Sequence, residues 1–242
     1  MKQYEAVIQT LERLGGQATL ADLYREAMKV KDCKWGTKTP FASIRRIVQV
    51  RPEFVKIRPG LWALRSYQAK LGLIDQDGKG QATSEAIEQT HAYYQGLLVE
   101  IGNLRGFDTF VPNQDKNKKF ISKPRGEMRT LQELPPFSYS DLVRRGGTVD
   151  VTWFNHRRMP NSFFEVEHST DIQGSLVKFC DLQDFHARMI VVADESRRAE
   201  FEHKQRLTAF DTIQGRVSFL DYNMLVKNFE YEKLRAIHKF AL

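Results

Sequence analysis

The 242-residue chain has only two cysteines, Cys33 and Cys180, far apart and inside different patterns. That excludes a disulfide framework and fits reduced thiols. The two cysteines and six histidines show no zinc-ligand spacing. No run approaches 18 apolar residues, so no membrane span is expected. Met1-Lys2-Gln3-Tyr4-Glu5 opens a mixed helical pattern, not the basic-then-apolar start of a secretory signal, and a cytoplasmic location is the expectation. A phosphate loop is also missing: five residues separate Gly72 from Gly78-Lys79, and Gly80 stands where Ser or Thr is required. Low-complexity tracts are absent, and 41% hydrophobic with 11% aromatic residues is ample for packed cores.

Beyond residue 67 the chain lacks net charge, with 24 Lys and Arg against 24 Asp and Glu. Residues 1–67 hold 13 basic residues against 6 acidic ones, so they carry the whole net charge of +7. This asymmetry points to a polyanion partner for the N-terminal segment, although a basic solubilising surface has the same composition.

Within that segment Val7, Ile8, Leu11 and Leu14 recur at helical spacing, and Gly15-Gly16 ends the run. Thr19 is the N-cap of a second helix carrying Leu20, Leu23, Tyr24 and Ala27 inward. Thr39-Pro40 starts a third, with Phe41, Ile44, Ile47 and Val48 as its apolar stripe and Arg45 and Arg46 on the other face. Residues 54–64 read as two alternating strands around Pro59-Gly60. Three helices and a hairpin describe a winged helix. The Trp35-Gly36-Thr37-Lys38-Thr39-Pro40 segment and the wing make residues 1–67 resemble the HARE-type helix-turn-helix module. Lys38, Arg45, Arg46, Lys56 and Arg58 are its candidate contacts to double-stranded DNA.

Residues 68–84 lack apolar periodicity and read as a linker. Residues 85–242 form the second expected domain. Its predicted order is a helix over 84–104, a strand over 107–111, a long polar excursion, strands over 148–154 and 163–167, a helix over 172–185 and a strand over 189–193. A charged helix, a short strand and a terminal helix follow. The fold class is α/β in the α+β sense, with an αβββαβ core and a mixed central sheet.

Asp150 begins one predicted strand, and Glu165 and Glu167 interrupt the apolar run of another. Strand alternation puts both glutamates on one surface and Phe164 and Val166 on the opposite one. An Asp and a Glu on adjacent strands suit Mg²⁺, which takes oxygen ligands and keeps open positions for water and a phosphate oxygen. The alternative, a solvated edge paired with arginines such as Arg144 and Arg145, stays open. The spacing resembles the PD-(D/E)XK nuclease superfamily in its E-x-E version. Asp150 matches the strand aspartate, Glu165 the acid 15 residues later, and Glu167 the position usually held by lysine. Val149 replaces the usual proline. The resemblance implies that Asp150, Glu165 and the Val166 carbonyl hold the metal and that Glu167 orients or deprotonates the attacking water. It further implies that Glu100, on the preceding helix, is an additional acid. Lys178 is a second place from which the missing lysine could be supplied. His168 points to the face opposite the acids and reads as a packed histidine. His156 evokes a histidine nuclease loop but has no partner at useful spacing.

The sequence therefore predicts a Mg²⁺-dependent endodeoxyribonuclease of restriction type, acting as a homodimer on duplex DNA. The alternative is a DNA-binding regulator or adaptor with an inactive nuclease-like domain.

Overall fold

The computed structural model describes residues 1–71, 84–121 and 123–239. Most of the expected linker, from residue 72 on, lies outside them. The chain divides into two compact units, one of Met1–Ala82 with Lys233–Leu242 and one of Thr83–Glu232.

The first unit contains helices α1 (Gln3–Arg13), α2 (Leu20–Ala27) and α3 (Pro40–Val50). Its three-stranded sheet is built from β1 (Gln17–Thr19), β2 (Phe54–Arg58) and β3 (Leu61–Leu64) in the order β1-β3-β2. The Thr19 side chain accepts the Asp22 N–H and so caps α2. Pro40 opens α3, and Gly60 turns the β2–β3 hairpin at φ +76°. The short β1 was not predicted. It pairs antiparallel with β3, Ala18 opposite Trp62. Val7, Leu11, Leu23, Tyr24, Ile44, Val48 and Phe54 form the core, and Leu234, from the last turns of the terminal helix, packs against it.

In the second unit α4 (Ser84–Leu104) precedes β4 (Asp108–Phe110). The polar excursion then folds into a two-stranded hairpin, β5 (Lys119–Phe120) and β6 (Lys123–Pro124), and two short helices, α5 (Arg125–Met128) and α6 (Ser140–Gly146). Next come β7 (Val151–Phe154), β8 (Pro160–Glu167), α7 (Ile172–Asp181), β9 (Arg188–Ala193), α8 (Arg198–Gln205), β10 (Val217–Asp221) and α9 (Tyr222–Lys239). The sheet order is β10-β9-β8-β7-β4. The β10–β9 and β9–β8 pairs are parallel, and β8–β7 and β7–β4 antiparallel, so the sheet is mixed and the fold α+β.

β8 and β9 are buried on both faces, and β9 accordingly reads as a nearly continuous apolar run. On one face Phe163 and Val191 meet Leu176 and Phe179 of α7. On the other, Phe164 packs on Trp153, whose indole N–H donates to the Leu98 carbonyl of α4 at 3.1 Å.

One expectation needs correcting. The 148–154 strand starts only at Val151, and Asp150 sits in the bend before it. A turn closed by Val149 N–H on the Gly146 carbonyl keeps the backbone out of the ladder until Val151 pairs with Phe164.

Candidate active site

The bend carries Asp150 to the end of the sheet, where its Oδ2 accepts the Val166 backbone N–H at 2.7 Å. The side chain thus satisfies a β8 donor that the shortened β7 does not reach. His91, on α4, stands with Nε2 3.1 Å from the same oxygen. Burial raises the Asp150 carboxyl, but the hydrogen bond and charge of His91, the Val166 N–H and the charge of Lys178 outweigh it, so the group is held below its ordinary value.

Glu165 lies near the end of β8 with its side chain 3% exposed. Lys178, in the last turns of α7, donates to both its carboxylate oxygens at 3.0 and 2.9 Å and to the Thr148 carbonyl at 2.9 Å. α7 starts firmly because Asp171 caps it through the Gln173 N–H. Burial and the neighbouring Asp150 charge push the Glu165 carboxyl well above its ordinary range despite Lys178, and Glu167 adds to the push. Glu167 is buried, and its oxygens accept the hydroxyls of Ser175 and Thr170. Ser175 also reaches Glu165 at 3.4 Å.

The solvated-edge alternative fails on these contacts. Arg144 pairs with Asp141 at 2.7 Å and Arg145 with Asp181 at 2.5 Å, while the glutamates are buried.

Asp150, Glu165 and Glu167 are thus brought together, with Lys178 among them. Glu100 is not part of this arrangement. It is half-buried near the far end of α4, nine residues after His91. At 100° and 1.5 Å per residue that is a half-turn around the helix and about 13 Å along it. His91 is the α4 residue that reaches Asp150. The usable signal for it was the polar series Glu88, His91 and Gln95, spaced three and four apart on a helix whose residues 92–99 are buried. Gln95 is fully buried beside Asp115, which pairs with Lys118 at 3.0 Å and with the fully buried Arg125 at 3.7 Å.

Among the described residues no three His, Cys, Asp or Glu side chains form a ready metal cage. Mg²⁺ does not need one, since one or two carboxylates with water and substrate phosphate are its ordinary environment. A buried carboxyl, pushed toward its protonated form by its burial and then by the charge of the neighbouring Asp150, fits a site built around a cation. In the first unit Lys38, Arg45, Arg46 and Lys56 are exposed and Arg58 half-exposed, with Arg45 Nε donating to the Tyr24 hydroxyl at 3.0 Å.

By sequence this α+β unit is a restriction-enzyme-related domain. The chain belongs to the family described as the type II restriction enzyme NmeDI C-terminal domain, whose model matches residues 73–242. It is 25% identical over 127 residues to the type II restriction enzyme NmeDI of Neisseria meningitidis serogroup C. The match covers 48% of this chain and 36% of that protein, so only about a third of the relative's length is represented. No solved structure gives a significant match. No helix among the described residues is long and apolar enough to cross a membrane.

Proposed function

We propose that the protein is a metal-dependent, restriction-type endodeoxyribonuclease whose cutting centre is Asp150, Glu165 and Lys178. The observation that carries this reading is the cluster itself, Asp150 held at a sheet end by the Val166 N–H beside a buried Glu165 paired with Lys178, in a chain of the restriction-enzyme family.

Asp150 and Glu165, with the Val166 carbonyl, would hold the cation, and the fixed Val166 N–H and His91 orient Asp150 toward it. When bound, a divalent cation supplies charge neutralisation at the scissile phosphate and a water acidic enough to attack at neutral pH. Lys178 takes the water-orienting role that the PD-(D/E)XK resemblance gives to a lysine, reaching in from α7 rather than from β8. Glu167, at the strand position of that lysine, fixes Ser175 and through it Glu165. Residues 1–67 act as a winged-helix anchor on duplex DNA through Lys38, Arg45, Arg46, Lys56 and Arg58, and cutting both strands with one site per chain calls for a homodimer.

The test is cleavage of plasmid and varied linear duplexes in Mg²⁺ or Mn²⁺. Asp150→Ala and Glu165→Ala are each expected to lower the rate at least ~10²-fold, on the order of 3 kcal/mol of transition-state stabilisation, with DNA retention nearly intact. A wild-type chain that retains DNA but never cuts it sinks the catalytic assignment and leaves a DNA-binding adaptor.

A further inference from the structure

The charge balance after residue 67 hides a local segregation. Residues 115–125 hold five basic residues, Lys116, Lys118, Lys119, Lys123 and Arg125, against the one acid Asp115. This stretch is the β5–β6 hairpin and its flanks.

The hairpin is rooted beside the candidate centre. Phe120 is buried against α4, stacked on Tyr93 at 5.7 Å and seated over Gly96, where an added Cβ would come within 2.2–2.6 Å of the ring and its Cβ. The Lys118 carbonyl accepts the Arg125 N–H at 3.0 Å, and its ammonium pairs with Glu88 at 2.7 Å. Glu88 lies one turn of α4 before His91, which touches Asp150, so the root of the hairpin is about 5 Å along one helix from the acids. Arg125 is fully buried at the base and feels the charges of Asp115, Asp150 and Glu88.

Lys116, Lys119 and Lys123 are exposed, and among the described residues none of them has an ion-pair partner. Three exposed ammonium groups without ion-pair partners, on and beside a hairpin rooted near the proposed cutting centre, suit a polyphosphate backbone, where contacts set register without reading sequence. We propose that the β5–β6 hairpin is a DNA-backbone clamp carried by the nuclease unit itself, additional to the N-terminal module. The proposal rests on the nuclease reading for its substrate, but its test does not.

The test is duplex retention by the full chain in EDTA, so that cutting plays no part, with Kd followed against salt. Lys116→Ala, Lys119→Ala and Lys123→Ala together are expected to weaken binding and to flatten the log–log salt slope by roughly 2 to 3, at about 0.9 per lost phosphate contact. Arginine at all three positions is expected to restore affinity and slope, and the thermal midpoint of each variant to match the wild type. An unchanged slope and Kd in the alanine variant, or loss of binding in the arginine variant too, overturns the clamp. A chain that keeps this lysine-dependent binding but does not cut in Mg²⁺ leaves the clamp standing and removes only the nuclease reading.

Discussion

At the scale of single residues, the two acids of the site are displaced in opposite directions, and this sets a pH signature. Glu165 is raised above its ordinary 4.5 in the fold, so the native state binds a proton that the unfolded chain releases. Stability without metal is therefore lost as pH rises above 4.5 toward the folded value. Asp150 is lowered below its ordinary 3.8, so its contribution is present above that value and lost only as pH falls below it. In the neutral range the Glu165 effect is the one that shows. Glu165→Gln removes the charge and keeps the shape, so metal-free thermal melts should find the variant at least as stable as the wild type, with a gap that widens from pH 5 to pH 8. Mg²⁺ should raise the wild-type midpoint and leave that of the variant nearly unchanged, because a cation bound only by the native state stabilises by mass action. A gap that shrinks with rising pH would show that Glu165 is not the strained group. Lys178→Met tests the other half of the pair. It strands Glu165 without its cation, and it should cut the cleavage rate at least ~10²-fold in single-turnover assays while Lys178→Arg recovers part of it.

At the scale of elements, the legible parts were those where one residue type has one physical use. Thr19 had to be a cap, Pro40 a first helical residue and Pro59-Gly60 a turn, and the long α4 spans Ser84–Leu104 as its apolar residues Tyr94, Leu97, Leu98 and Ile101 suggested. Asp150 and Glu165 were legible because an acid beside a run of Phe and Val is costly without a partner. Lys178 was visible only as a lesser option, since a lysine on a helix surface is ordinary until the fold shows what lies opposite. Glu100 was misplaced because motif spacing along a chain does not say which face of a 21-residue helix meets a strand end. The β5–β6 hairpin was unreadable: two-residue strands carry no periodicity, and their support is tertiary, a ring lodged over Gly96. That support makes a prediction. Gly96→Ala puts a methyl into Phe120, whose Cβ and first ring atoms are the close contacts and cannot swing clear. It should cost about 1–3 kcal/mol in denaturant unfolding. Faster amide exchange should appear along residues 118–125, and duplex retention should fall toward that of the triple lysine variant. Full retention alongside fast exchange would mean that clamp geometry does not depend on this seat.

At the scale of the whole molecule, charge and chain order do not divide at the same place. The excess charge ends at residue 67, yet the compact unit that bears it includes Lys233–Leu242. Leu234 packs against its core, and Lys233 lies 3.8 Å from Asp22. A fragment of residues 1–67 therefore lacks part of its own core, and a failure of that fragment to bind DNA would report on folding as much as on the Arg45 and Arg46 surface. The full chain is the fair vehicle. In it, Leu234→Ala removes a half-buried side chain and should destabilise the first unit by about 1–2 kcal/mol, seen as earlier proteolysis within residues 1–67. Arg45→Ala with Arg46→Ala leaves that core intact and should flatten the salt slope of duplex binding by one to two units, about 0.9 per phosphate contact. Because the N-terminal residues are assigned to anchoring and Asp150 and Glu165 to chemistry, the double arginine variant should still cut at near wild-type rate once protein is saturating, its defect being confined to the concentration needed. A loss of rate that persists at saturation would mean that the first unit also sets the geometry of cutting, and the separation of anchor from blade would have to be given up.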